Sequence, residues 1–235
     1  MRASAIAAVA ALTVGLALSG CGADARTTEG TPKAGAPAEP SQEPTPRTAR
    51  PRPAPRESNP SGPHATIADY INENGIEETP VQAGTAGAPV IDLPFPDGWE
   101  DAGADTPEWA YGAMVYTGPE AADYTPSIVA LVSRLDGDVD PQAILDVAGG
   151  ELQNLPGYQG WNEGSSGTLD GFPAFQLGGT WVQDGLTKIV AQKTVVIETD
   201  DAFYVLQLNA DGLEEQAEIV GRATDAIDAE TVITP

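Results

Sequence analysis

The run Ser127-Ile-Val-Ala-Leu-Val-Ser-Arg-Leu135 sets the tightest limit on what this chain folds into. Its branched residues read as a strand, yet the apolar positions do not alternate: Ile128, Ala130 and Val132 point one way, Val129 and Leu131 the other. A strand that is apolar on both faces must be covered on both, so its sheet lies between two layers. Residues 109–116, 172–183, 186–198 and 202–208 also read as strands. The second and third of these are joined by Asp184-Gly185, a preferred tight-turn pair, so they pair antiparallel as a long hairpin. Residues 89–94 read as a short strand between prolines, and 94–99 as a turn.

Three segments carry helical signals. Thr66 stands as an N-cap before Ile67, Tyr70 and Ile71, and Gly75 stops the run. Asp140-Pro141 pairs a capping side chain with a proline at the first helical position, ahead of Ile144, Leu145, Ala148 and Leu152. Residues 213–227 read as a closing amphipathic helix with Leu213, Ala217, Val220, Ala223, Thr224 and Ile227 near one face. The expected class is therefore α+β, an antiparallel sheet covered by helices on both faces.

Charge divides the chain. Residues 65–235 hold 30 of the 35 acids but only four bases, Arg134, Lys188, Lys193 and Arg222. Such a surface repels phosphate backbones and anionic headgroups, which counts against nucleic acid as a partner. The one cysteine is Cys21 and the one histidine is His64, both ahead of the domain. A disulfide, a thiolate nucleophile, a Ser-His-Asp triad and a histidine or cysteine metal site are thereby excluded from residues 65–235, and no cofactor is expected.

What precedes the domain reads as export and tethering. Arg2 and the apolar residues 3–18 form a leader too short to span a bilayer comfortably. It ends in Leu18-Ser19-Gly20-Cys21, a lipobox: cleavage is expected between Gly20 and Cys21, with Cys21 lipidated. Acyl chains at about 0.8 kcal/mol per buried CH₂ make the expected partner the outer face of the cytoplasmic membrane. Residues 21–64, rich in Pro, Ala, Thr and Arg, lack hydrophobic periodicity and are expected to form a disordered tether. Extended as polyproline II, that tether reaches on the order of 130 Å. Arg47, Arg50, Arg52 and Arg56 form a basic cluster within it.

Several motifs suggest chemistry on first sight. Gly164-Ser165-Ser166-Gly167 lacks the spacing of a nucleophile elbow and reads as a flexible turn. Asp136, Asp138 and Asp140 open like a calcium loop, but Pro141 stands at its glycine position and Val147 at its bidentate acid, so Asp140 reads as a helix cap. Glu77/Glu78 and Glu100/Asp101 resemble a glycosidase pair only as any acid-rich domain must. No catalytic residue and no metal site are assigned. The binding candidates are the aromatics Trp99, Trp109, Tyr111, Trp161 and Trp181 and the strand cations Arg134, Lys188 and Lys193. The competing reading puts the aromatics in the core and pairs the cations with neighbouring carboxylates.

After the lipobox and tether come residues 66–71, 92–99, 109–113 (Trp-Ala-Tyr-Gly-Ala), 124–131, 191–196 and 204–212. In this order they resemble the LpqN/LpqT lipoprotein family of mycobacteria and their relatives, over residues 65–233. The resemblance implies a PsbP-like α/β/α sandwich, a cell-envelope location, no known enzymatic activity and an accessory role in envelope lipid and glycolipid assembly. It transfers no catalytic residue. The leading expectation is a tethered, non-enzymatic module that binds envelope glycolipid or the transport and transferase proteins that handle it. The alternatives are a carboxylate-dependent hydrolase of envelope carbohydrate and a pure protein-interaction scaffold.

Overall fold

The structure, a computed structural model, describes residues 52–53 and 62–235. The expectations for the leader, for Gly20 and Cys21, and for most of the tether lie outside the described residues. Among those that are described, no helix is long and apolar enough to cross a membrane.

In chain order the elements are α1 (Ile67–Asn74), β1 (Glu77–Val81), β2 (Val90–Asp92), β3 (Trp99–Asp101), β4 (Gly112–Tyr116) and β5 (Ser127–Asp136). Then follow α2 (Pro141–Val147), α3 (Gly150–Gln153), β6 (Gln159–Gly160), β7 (Ser165–Leu169), β8 (Phe172–Gln183), β9 (Leu186–Glu198), β10 (Phe203–Leu213), α4 (Ala217–Glu230) and β11 (Val232–Thr234). Nine strands form one antiparallel sheet in the order β3-β4-β5-β10-β9-β8-β6. Strand β1 lies beside β5, past the end of β4, and β7 lies beside β8. A small second sheet pairs β2 with β11.

The two-sided cover expected from residues 127–135 is present. Ile128, Ala130 and Val132 pack in one cluster with Ile219, Val220, Ala223 and Ile227 of α4. On the opposite face Leu135, Val196 and Val205 pack with Ile67 and Ile71 of α1 and Ile144, Leu145 and Ala148 of α2. Leu152 of α3 joins Leu177, Trp181 and Val190 on that same face. Helix α1 begins with a reciprocal cap: Asp69 N donates to Thr66 Oγ1 (3.2 Å) and Thr66 N donates to Asp69 Oδ2 (2.9 Å). It ends at Gly75, whose φ of 64° is the left-handed conformation glycine adopts without strain. Asp140 caps α2, its carboxylate accepting from Gln142 N at 2.9 Å.

Three local expectations are corrected. The last helix does not start at Leu213. Strand β10 runs through Asn209-Ala-Asp-Gly212 to Leu213, because Ala210 is paired on both sides, with Ile128 of β5 and Ala191 of β9. Turn-forming composition loses there to two hydrogen-bonded neighbours. Residues 164–167 are not a free turn: Ser165–Leu169 is β7, paired to β8 through a second Asp-Gly hairpin in which Asp170 has φ 47° and Gly171 φ 84°. Strand β4 begins only at Gly112, and Trp109 stands on the preceding turn, where Ala110 N donates to Pro107 O at 2.9 Å.

Candidate functional site

The sheet is wider than α4, and the uncovered width beside that helix is a cleft. Strands β8 and β9 carry Gln176, Gly178, Ala191 and Lys193 on this face, and the chain between β6 and β7 raises Trp161 and Asn162 over them. On the other wall α4 presents Thr224, Asp225 and Asp228, and the floor deepens to Ile128, Leu208 and Ala210. The space is about 220 Å³. A second hollow of about 160 Å³ adjoins it and shares Ser165, Gln176, Lys193 and Asp228. Ser166, Gly167 and Thr168 of β7 line that second compartment, so it is hydroxyl-rich where the first is floored by hydrocarbon.

Trp161 is held there by a device legible atom by atom. Its N–H donates to Gly178 O at 3.0 Å. Its ring lies over Gly178 so closely that a Cβ on that residue would stand 2.8 Å from ring carbon Cζ3. The indole remains 59% exposed. Lys193, its side chain 13% exposed, ion-pairs with Asp228 at 2.5 Å where the two compartments meet. A flat indole, carboxylates and amides above an apolar floor form an amphiphilic surface, with a ring face suited in shape and polarity to C–H groups and polar atoms suited to hydroxyls.

The opposite face holds a trough of about 260 Å³ between α1, β1 and the turn carrying Trp109, lined by Ile67, Ile71, Glu78, Leu131, Glu151 and Gln207. Beside Gln207 the sheet carries an inward polar block that the sequence reading did not single out. Gln192 pairs with Asn209 across the β9–β10 ladder, and Thr194 with Gln207. Glu151 Oε2 accepts from Gln192 Nε2 (2.9 Å) and Gln207 Nε2 (3.3 Å). Thr194 Oγ1 and Asn209 Oδ1 are buried with no hydrogen-bond partner among the described residues, a cost of roughly 1–3 kcal/mol each. Gln207, Asn209 and Asp211, alternating with Leu206, Leu208 and Ala210 in β10, were the available signal.

The candidates divide by position. Trp161 and Lys193 meet in the cleft. Trp109, 55% exposed, lines the trough on the other face. Trp99 lies in the core and packs on Tyr116 with ring centroids 5.9 Å apart. Tyr111 Oη accepts from Ile91 N at 3.0 Å and so ties the small sheet to the large one. Arg134 forms a forked pair with Asp136, Nε to Oδ2 and Nη2 to Oδ1 both 2.9 Å.

Lys188 and Trp181 are buried together. Lys188 Nζ donates to Tyr124 Oη and Gln183 Oε1 at 2.7 Å each, lies 3.6 Å from Asp211, and sits 5.7 Å from the Trp181 ring. Tyr124 Oη in turn donates to Asp211. This network fastens the chain between β4 and β5 to the sheet, with Gln216 Nε2 donating to the carbonyls of Glu120 (2.7 Å) and Tyr124 (2.9 Å). The acid pairs Glu77/Glu78 and Glu100/Asp101 stand exposed on edge strands β1 and β3. Tyr158 packs beneath Gly179, its Oη donating to Gly178 O at 3.1 Å, and burial pushes its pKa up to about 12.

The class so defined is an antiparallel α+β sandwich with an indole-walled cleft on one face and an acid-lined trough on the other. Residues 63–234 match the family described as "Probable lipoprotein LpqN". The chain belongs to that family. It is 50% identical to lipoprotein LpqN of Mycobacterium tuberculosis over 175 residues, 74% of this chain and 76% of that protein. A crystal structure of LpqN, described as involved in cell envelope biogenesis of Mycobacterium tuberculosis, matches with TM-score 0.70 and 50% identity, covering 74% of this chain and 100% of that one. The proline-rich 28 kDa antigen of Mycobacterium bovis is 27% identical over 165 residues, 69% of this chain and 52% of that protein. The chain thus spans about half of that relative.

Proposed function

We propose that the domain is a non-enzymatic binding module for an acylated saccharide of the cell envelope, held at the outer face of the cytoplasmic membrane by lipid on Cys21. The observation that carries the reading is Trp161, seated on Gly178 and facing Asp225 and Asp228 across an apolar floor. The hydroxyl-lined compartment takes the rest of the head group, and the hollow over Leu208 and Ala210 takes the start of the chain. Together the two volumes lie near the lower end of the roughly 300–1,000 Å³ common for ligand sites, room for a sugar ring and a few methylenes. An accessory role agrees with the cell envelope biogenesis ascribed to the LpqN of Mycobacterium tuberculosis. In that role the module passes its ligand to or from envelope transport or transferase proteins.

The test is a fluorescence titration of the mature chain, made soluble by Cys21→Ser, with a dodecyl trehaloside kept below its micelle concentration. Saturable quenching is expected in the native sequence, and binding about tenfold weaker in Trp161→Ala, equivalent to about 1.4 kcal/mol. Equal binding by the variant, or no binding by either, refutes the assignment.

A further inference from the structure

The cleft beside α4 does not end at Ala210. Its floor reaches Ile128 of β5, and a further hollow of about 210 Å³ is lined by that same residue. Ile91, Leu93, Phe95, Gly112 and Met114 line this far hollow with Ile128. Asp92 and Asp101, both exposed, also border it. Strand β5 stands between β4, which carries Met114, and β10, which carries Ala210, so the two hollows lie to either side of Ile128.

Strand register puts them in line. Met114 pairs with Ile128, Ile128 with Ala210, Ala210 with Ala191 of β9, and Ala191 with Gly178 of β8. Directly paired residues lie on one face of a sheet, so these five form one row across the strands beneath the α4 layer. Four strand spacings of ~4.8 Å make the row roughly 19 Å long, close to the length of an extended hexadecyl chain. Every member lines one hollow or the other, and Ile128 lines both. Trp161 sits over Gly178 at one end, and Phe95, 54% exposed, borders the hollow at the other.

Gly112 keeps the far hollow open. It pairs with Ala130 two residues from Met114, on the same face. Its φ is not in the left-handed region, and an added Cβ would meet nothing within 4 Å. Neither backbone conformation nor a crowding neighbour therefore calls for glycine there. A bare position in a β ladder weakens the strand, and it marks a place where something else approaches the sheet. The space it leaves is walled by hydrocarbon and continues the floor of the cleft.

We infer that the row from Gly178 to Met114 is the track of a single acyl chain, its head group at Trp161 and its distal half past Ile128 in the hollow over Gly112. Ile128, 1% exposed, is the partition that the chain crosses. The inference rests on the cleft reading above and deepens it. It makes the ligand long-chain, and it makes the chain linear, because the track is one residue wide.

The test compares octyl and dodecyl trehalosides, both below their micelle concentrations, on the mature Cys21→Ser chain by tryptophan fluorescence. An octyl chain starting over Ala191 ends near Ile128, whereas a dodecyl chain crosses it. The native sequence should bind the dodecyl ligand about thirtyfold more tightly, somewhat below the full increment for four buried methylenes. Gly112→Leu places a side chain in the far hollow, so it should keep the octyl affinity and cut the gain to about threefold. Gly167→Leu, in the hydroxyl-lined compartment, should instead weaken both ligands alike and preserve the gain. A full gain in Gly112→Leu, or no gain in the native chain, overturns the acyl track and leaves the cleft reading standing. Failure of the native chain to bind either ligand overturns the cleft reading itself, and the track with it.

Discussion

Gly178 and Gly179 are adjacent in β8 and face opposite sides of the sheet, so one methyl group at each separates binding from folding. At Gly178 an added Cβ would lie 2.8 Å from Trp161 Cζ3 and 3.0 Å from Cε3, atoms at the far end of an exposed side chain. The ring yields and the strand does not. With the indole 59% exposed, about two fifths of its roughly 250 Å² is in contact. A tilt of about 1 Å that forfeits a third of that contact costs on the order of 1 kcal/mol at ~25 cal/mol per Å². Removing glycine from a strand interior returns about 0.5–1 kcal/mol, so the stability of Gly178→Ala stays close to native. The platform is nonetheless lost, and dodecyl trehaloside affinity should fall about tenfold.

At Gly179 the added Cβ would lie 2.4 Å from Gln159 O and 2.7 Å from the Tyr158 ring. The first of these is backbone of β6, whose Gly160 pairs with Gly179 itself. Relief requires β6 to retreat, with loss of the Tyr158 hydrogen bond to Gly178 O. Overpacking and the lost bond together cost roughly 2–4 kcal/mol, a fall in Tm of about 5–15 °C for a domain this size. Paired thermal melts and fluorescence titrations of the two alanine variants read both quantities. A Gly178→Ala protein that binds like native but melts as low as Gly179→Ala would refute the account of both residues.

Asp228→Asn releases Lys193 from its ion pair, so a dodecyl phosphate should gain on the trehaloside by roughly tenfold in competition titrations; an unchanged ratio would mean that the pair does not select head-group charge. Thr66→Ala should cost about 1 kcal/mol in denaturant unfolding at neutral pH through loss of the N-cap. The Thr66 backbone N–H, and then its hydroxyl, hold the Asp69 carboxyl below the usual range, so its contribution is present above an unfolded pKa of about 4 and lost as pH falls through the lower folded value. The gap between native and variant should accordingly narrow in acid. Tyr158, pushed up to about 12 by burial, should ionise late in an ultraviolet titration; its contribution is whole below an unfolded pKa near 10 and fades as pH rises toward 12. Cys21→Ala should move the protein from the detergent phase to the aqueous phase in phase partitioning, and unchanged partition would remove the lipid anchor.

The layered fold was legible because its signals are local or periodic. The two-sided apolar pattern of residues 127–135, the Thr66 and Asp140 caps and the Asp184-Gly185 hairpin each decide a piece of backbone from neighbouring residues alone. What was illegible depends on distant partners. Strand β1 is Glu-Glu-Thr-Pro-Val, a poor strand by composition, and it forms because β5 offers it an open edge from Val132 to Asp136. Strand β7 is Ser-Ser-Gly-Thr-Leu and exists because β8 pairs with all five residues.

The candidate site was half legible for a related reason: residue type names a chemistry, whereas strand register decides where that chemistry points. Lys188 and Lys193 are both strand cations in β9, but they stand an odd number of residues apart and therefore face opposite layers. Lys188 faces the helices α2 and α3 cover, where Tyr124, Gln183 and Asp211 enclose it and make it structural. Lys193 faces α4 where the sheet outruns the helix, and it ends at the junction of two open compartments. Trp181 and Gly178 divide in the same way along β8, the indole turned into the core and the glycine left bare beneath Trp161. A one-residue slip of the β8–β9 hairpin would exchange the two sets, burying the cleft's polar groups and exposing the network's. The turn Asp184-Gly185, with φ of 52° and 80°, fixes that register, so a site with no residue in the turn still depends on it.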